Sequence, residues 1–155
     1  MKDTCDDVGA ARVDDDPPTI IKPNGDREWH VDGRLHRDND LPAIELANGD
    51  RAWYRNGQCH RDHDLPAIEW ANGNRYWYQN GLRHRDNDLP AIECANGDLS
   101  WYRNGRQHRD NDLPAVEHVD GERWWYQDGH RGSGLPAVIR ADGTQEWWVN
   151  SHRTA

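Results

Sequence analysis

The stretch 41–64 reads "LPAIELANGDRAWYRNGQCHRDHD", and nearly the same words return at 65–88 and 89–112 and in looser form on either side. Leu41, Leu65, Leu89 and Leu113 each open an "LPA", and Trp29, Trp53, Trp77, Trp101 and Trp125 form a second column at the same 24-residue interval. Self-similarity at such a period means an array in which every copy buries its apolar side against its neighbours. A degenerate leading copy begins at Pro18. The last copy begins at Leu135, only 22 residues after Leu113. Setting "GH" at 129–130 against "GQCH" at 57–60 puts the two missing residues in a turn and His130 in the column of His60.

Each unit holds two turn words, such as Asn48-Gly49 and Asn56-Gly57, between short apolar or aromatic runs. Asn-Gly supplies the two positive φ angles of a two-residue hairpin turn, and no helical period occurs anywhere. The expectation is strands over 43–47, 50–55 and 58–61. A polar return runs through Asp62 to Asp64, and Pro66 sits at a strand start, where its missing N–H is tolerated. The fold class that follows is all-β: a repeat array of stacked antiparallel β-hairpins. Residues 17–155 form one repeat domain of about five units plus the leading copy, after an acidic disordered tail at 1–16. Two-residue turns at both words set Ile44 opposite Trp53 and Ala43 opposite Tyr54. One face then carries Ile44, Trp53 and His60 as core, with Leu65 folding over it. The other carries Ala43, Glu45, Tyr54, Ala52 and Arg61, with Glu45 and Arg61 in a solvent-exposed carboxylate–guanidinium ladder.

Apolar residues are 34% of the 155, against about 45–50% in an ordinary globular domain. Nine Trp and five Tyr, with no Phe, concentrate that surface in large rings, so the core is expected as a row rather than a ball. The formal charge of −9 argues against nucleic acid and anionic membranes, whose phosphates need clustered Lys and Arg. It leaves room for a basic protein partner, and self-association stays open. Residues 1–16 hold six Asp against Lys2 and Arg12, a disordered composition. Cys5, Cys59 and Cys94 are odd in number and share no spacing, which fits a reducing, cytoplasmic setting. No cofactor is implied, and no apolar run is long enough to cross a bilayer.

"HRDND" at 36–40 and its sisters raise two chemical readings. His-Arg-Asp opens a kinase catalytic loop, but the glycine-rich loop, VAIK-like lysine and DFG that phosphoryl transfer needs are absent. An active site is not written four times in a small chain, so no catalytic residue is expected. Asp38 and Asp40, Asp62 and Asp64, Asp86 and Asp88, and Asp110 and Asp112 offer hard oxygens one residue apart, as calcium loops do. A calcium shell needs about six to eight oxygens, and successive loops should lie about 10–14 Å apart. The favoured reading is therefore turn caps that pair with Arg37 and its counterparts. The column His36, His60, His84 and His108 reads as packing and hydrogen bonding beside Trp. A calcium- or carbohydrate-binding module stays open as the alternative.

Between copies the positions of Leu46 and Ala52 vary most. The first becomes Trp70, Cys94, His118 and Arg140, the second Tyr76, Ser100, Trp124 and Glu146. Beside them runs the column Tyr54, Tyr78, Tyr102 and Tyr126. Rigid aromatics repeated along one face are what partner-binding surfaces use. Tyr54, Tyr76, Tyr78, Tyr102, Trp124 and Tyr126 are thus either partner-binding residues or a half-exposed packing stripe.

Tyr54, Asn56, Gly57 and His60 within "WYRNGQCHRD" give Y-x-N-G-x-x-H, which resembles the second half of the membrane occupation and recognition nexus (MORN) repeat, over roughly residues 18–153. It is most similar to the variant units with W-Y-x-N-G found in large DNA viruses, phages and bacteria. The resemblance implies a twisted antiparallel sheet of stacked hairpins, a non-enzymatic role in protein–protein association or scaffolding, or, in a virus, a self-assembling virion component. The chain also departs from the pattern. Arg61 and His63 stand where MORN units have glycines, the two turns lie closer together, and Ala52, Tyr76, Ser100 or Trp124 replace the middle glycine of Y-x-G-x-W. The bulkier face and the negative charge argue against the family's lipid binding.

Overall fold

Each unit folds into two small hairpins in succession, with its Trp at the corner between them. In the unit that starts at Leu41, Ile44–Glu45 pairs with Arg51–Ala52, and Tyr54–Arg55 pairs with Gln58–Cys59. The first hairpins merge, because Arg51–Ala52 also pairs with Ile68–Glu69 of the next unit, and repetition gives an antiparallel sheet of 13 strands. The second hairpins stay as five two-stranded ladders. Single bonds tie neighbouring ladders, such as Gly57 N–H to Leu35 O at 2.8 Å and Gly81 N–H to Cys59 O at 2.9 Å. The computed structural model describes residues 16–131, 136–149 and 152–154. The acidic leader through Asp15, with Cys5, lies outside the described residues, as does Leu135.

The expected strand over 50–55 is therefore cut in two. Trp53 donates its N–H to Ala67 O at 2.8 Å on the sheet side, and its C=O accepts from His60 N–H at 3.0 Å on the ladder side. A residue whose two backbone groups face different ladders is a corner, and the strands on either side end there.

The two Asn-Gly words fold differently. At the second, Asn56 (φ 51°) and Gly57 (φ 83°) are both left-handed, which makes the expected two-residue turn. At the first, Gly49 alone is left-handed (φ 95°). Its N–H bonds Leu46 O, and Leu46 N–H bonds Asp50 O, both at 2.9 Å. That is a three-residue loop with a glycine bulge, and it moves the register by one, so Ile44 faces Ala52 and Glu45 faces Arg51. The loop carries further bonds one residue on. Asp50 N–H bonds the Asn48 side chain at 3.0 Å, while Asp50 Oδ1 accepts Ala71 N–H of the next unit at 2.7 Å. Asp26, Asn74 and Asp98 do the same for Ala47, Ala95 and Val119.

The register shift corrects the expected faces. Ala43, Ala67, Ala91, Ala115 and Ala137 are fully buried, beside Trp29, Trp53, Trp77 and Trp101 at 4–6% exposure. Ala43 thus joins Trp53 in the core rather than opposing it, while Ile44 is half-buried on the other side and Leu65 is exposed instead of covering the row. The core is still a row of rings, alternating with alanines small enough to let backbone and ring approach.

The last unit brings a second correction. The turn Asp128-Gly129 is intact (φ 48° and 85°), and His130 pairs with Gln127 and Arg131 with Tyr126. His130 therefore matches Gln58, and Arg131 matches Cys59. The two lost residues fall after Arg131, next to 132–135, which lie outside the described residues. Trp125 correspondingly has no guanidinium over its ring among the described residues and is only half-buried.

Candidate partner-binding face

The HRDxD loops are built from the chain's own needs. In the first, Asn39 (φ 61°) and Asp40 (φ 56°) are both left-handed, and Leu41 N–H bonds Asp38 O at 3.2 Å. Asn, Asp and His tolerate that conformation better than other side chains, which accounts for the D-x-D wording. Asp40 O accepts the Trp53 indole N–H at 3.0 Å, and its carboxylate takes the fork of Arg61, Nε to Oδ1 at 2.9 Å and Nη2 to Oδ2 at 3.0 Å. Arg61 lies flat over Trp53 at 3.7 Å and reaches Glu69 of the next unit at 3.2 Å. Arg85 and Arg109 repeat this with Asp64 and Glu93, and with Asp88 and Glu117. The carboxylate–guanidinium ladder is present, but Arg61 pairs forward to Glu69, and its guanidinium is largely covered rather than solvent-exposed. Asp16 takes the place of Asp40 for the leading unit, its carbonyl accepting from Trp29 Nε1 at 2.9 Å.

The histidines staple units together. His84 Nδ1 accepts the Asn104 N–H at 3.2 Å, twenty residues on, and Nε2 faces Asp86 Oδ1 at 3.0 Å. Accepting at Nδ1 puts the proton on Nε2, which donates to Asp86. Asp62 is held by Arg55 and by His60 at 2.9 Å, and these two partners, Arg55 first, lower its carboxyl to about 2. Asp86 and Asp110 are lowered in the same way, chiefly by His84 and His108. A carboxyl that is more acidic in the folded chain stabilises the fold above its ordinary value of 3.8, and that contribution disappears as pH falls toward about 2. Thermal midpoints should therefore drop across that window. A midpoint that stays constant down to about pH 2 would contradict the stapling role of these loops.

Asp40, Asp64 and Asp88 each have their carboxylate bound by an arginine of the following unit. Asp38, Asp62, Asp86 and Asp110 face histidine. Asp112 gives its carbonyl to the Trp125 indole at 2.9 Å. Among the described residues no three His, Cys, Asp or Glu side chains gather as a metal site.

The other side of the sheet is where units differ. Register places Ile44, Ala52, Ile68, Tyr76, Ile92, Ser100, Val116 and Trp124 in one cross-strand row. The two variable positions of a unit touch one another across the loop of its first hairpin. Trp70 meets Tyr76 edge-on at 6.1 Å, His118 meets Trp124 edge-on at 5.2 Å, Lys22 pairs with Glu28, and Arg140 pairs with Glu146 at 2.6 Å. Variation is thus matched in pairs. Small units (Leu46 with Ala52, Cys94 with Ser100) alternate with aromatic ones.

All six candidate aromatics are half-buried on this side, in groups that were not anticipated. Arg83 gathers three: its guanidinium carbon lies 5.5, 5.4 and 4.7 Å from the ring centres of Tyr76, Tyr78 and Tyr102, and Nη2 donates to the Tyr78 hydroxyl at 2.9 Å. Arg131 gathers Trp124, Tyr126 and Trp148 at 4.6, 5.4 and 5.1 Å, and its Nε donates to the Tyr126 hydroxyl at 2.7 Å. Tyr54 belongs to neither group and pairs with Cys59, whose thiol burial raises to about 12, far from a reactive thiolate. The signal for the arginines lay in the column Leu35, Cys59, Arg83, Gln107 and Arg131, where the guanidinium coincides with the aromatic units.

Among the described residues no helix is long and apolar enough to cross a membrane. Comparison of the sequence with protein-family models and with curated proteins finds no match in either.

Proposed function

We propose that the chain is a non-enzymatic repeat module that binds a partner protein through the face of Tyr54, Tyr76, Tyr78, Tyr102, Trp124 and Tyr126. The observation that carries this reading is a division of labour between the two sides. The residues that recur in the full units, His, Arg, Asp, Trp and Ala of the loop side, are engaged in bonds between successive units. The residues that change lie on the opposite side, half-exposed and matched in pairs, where a surface can be varied without disturbing the stack. Repeated rigid rings on an extended face supply contact area at small entropic cost.

Random peptides displayed on phage and panned on the purified protein test this. Peptides enriched on the wild type should fail to bind the triple variant Tyr78→Ala, Tyr102→Ala, Trp124→Ala. A second variant, Ser100→Trp, keeps every packed ring and fills the low point of the face, as Trp124 does in its own unit; it should block binding with the melting midpoint nearly unchanged. Peptides that bind wild type, the triple variant and Ser100→Trp alike would remove the Tyr face as the binding surface.

A further inference from the structure

Arg83 and Arg131 differ from the other covered arginines. Arg61, Arg85 and Arg109 each hold a carboxylate within 3.2 Å and Arg37 holds two at 3.6 Å. Among the described residues Arg83 and Arg131, both half-buried, hold none; their neighbours are rings and tyrosine hydroxyls. A guanidinium partly removed from water without an anion is costly, and here it happens twice in a chain with net charge −9. Each group also contains a buried N–H donor with no acceptor, Arg83 Nε in one and Trp148 Nε1 in the other. Buried donors in folded chains are almost always satisfied, so each group is short of an acceptor, as Arg37 Nε and His30 Nδ1 are elsewhere.

The two groups are spaced by the sheet. Tyr76 and Trp124 lie four strands apart, about 19 Å at 4.8 Å per strand. An extended chain covers that distance in about six residues. Between them stands Ser100, with Cys94 as its small companion, leaving a low point that a side chain of a crossing peptide can enter.

We infer that Arg83 and Arg131 receive two acidic side chains, about six residues apart, from one extended segment of a partner protein. This rests on the reading of the Tyr face as the binding surface and names what it binds. Each carboxylate meets a guanidinium edge, while the rings exclude water and strengthen the pairing. Two isolated carboxylates on an otherwise neutral segment suit an acidic protein, whereas a polyanion or an anionic membrane meets the repulsion of the whole chain.

The test is a fluorescence-anisotropy titration of the full chain with a dye-labelled, otherwise neutral peptide carrying two aspartates about six positions apart. The wild type should bind it, with affinity falling as salt rises. R83Q and R131Q should each weaken binding about tenfold, with melting midpoints close to wild type. Replacing both aspartates by asparagine, or placing them adjacent, should weaken it as much. Equal binding by R83Q and R131Q, or indifference to aspartate spacing, overturns the inference. So does arginine-dependent binding of inorganic phosphate or anionic vesicles without binding of the peptide, and so does self-association of the wild type that R83Q and R131Q abolish, which would make a second copy the occupant. Display-selected peptides separate the two levels. If they bind the wild type and lose binding in Ser100→Trp but not in R83Q or R131Q, only this inference fails. If nothing is selected at all, the Tyr-face reading fails with it.

Discussion

Trp77→Ala is expected to destabilise the fold by about 4 kcal/mol, the usual cost of deleting a buried indole, which at about 2–4 °C per kcal/mol lowers the melting midpoint by roughly 12 °C. The side chain is 5% exposed in the middle of the row. Its ring carries Arg85 at 3.9 Å, its Nε1 caps Asp64 O at 3.0 Å, and its backbone turns the corner between sheet and ladder. Removing it opens a cavity against alanines, which cannot expand to fill the space. It also frees a loop carbonyl. Trp125→Ala is the internal control. It lies at the unit whose return loop is shortened and is half-buried, with no guanidinium above it among the described residues, so about half the loss is expected there. In an array each unit contacts only its neighbours, so the central deletion weakens two interfaces. Circular dichroism should monitor unfolding, because the substitution alters the fluorescence. If Trp77→Ala proves no more damaging than Trp125→Ala, the row of rings is not what holds the stack.

The second large effect is expected at Arg85. Its Nε and Nη2 fork onto Asp64 of the preceding unit at 2.8 and 2.9 Å, Nη1 reaches Glu93 of the following unit at 2.8 Å and Pro90 O at 3.2 Å, and the plane lies over Trp77. One side chain thereby joins three units. The carboxylates are partly in water, at 46% and 34% exposure, so screening holds each ion pair to below about 1 kcal/mol. Stacking on the indole adds about 1 kcal/mol, and the bond to the proline carbonyl adds more. Arg85→Met, which keeps most of the apolar stem, should therefore lose about 2–3 kcal/mol. Arg85→Lys should recover less than half, because an ammonium can neither fork nor stack flat. A lysine variant as stable as wild type would show that charge alone, and not the planar fork, does the joining.

Arg85 also shows why the loop wording misleads a sequence reader. "HRD" looks like chemistry because His, Arg and Asp are chemical residues, yet in this fold the imidazole bonds a backbone N–H of the next unit and the guanidinium the Asp of the preceding one, while the carboxylate holds the His of its own loop. Four-fold repetition was the clue to that in the sequence. The Tyr column was equally visible, and so was the variability at Leu46 and Ala52. What could not be read was that variable residues are matched across a hairpin loop, as Trp70 with Tyr76 and His118 with Trp124, because each pair depends on the register of that loop.

By itself the sequence determined the 24-residue unit, the all-β hairpin array, a core built as a row of tryptophans, and the loops as turns, but not their partners: Asp40 takes Arg61 of the next unit, Asp38 faces His36, and Arg37 pairs with Asp16 and Glu45. What it determined follows from features that are local or duplicated: Asn-Gly turns, aspartates that accept left-handed backbone, and rings at a fixed interval. Tertiary structure decided which Asn-Gly is a two-residue turn and which a bulged loop. In every copy the residue before the bulged loop's glycine bonds the N–H two positions on, as Asn48 does to Asp50, and Asp50 adds a bond from Ala71 N–H, 21 residues away in the next unit. That one-residue difference moved Ala43 into the core and turned Ile44 to the Tyr face. Side-chain direction in a strand alternates residue by residue, so a one-residue shift of register sends every side chain to the other face.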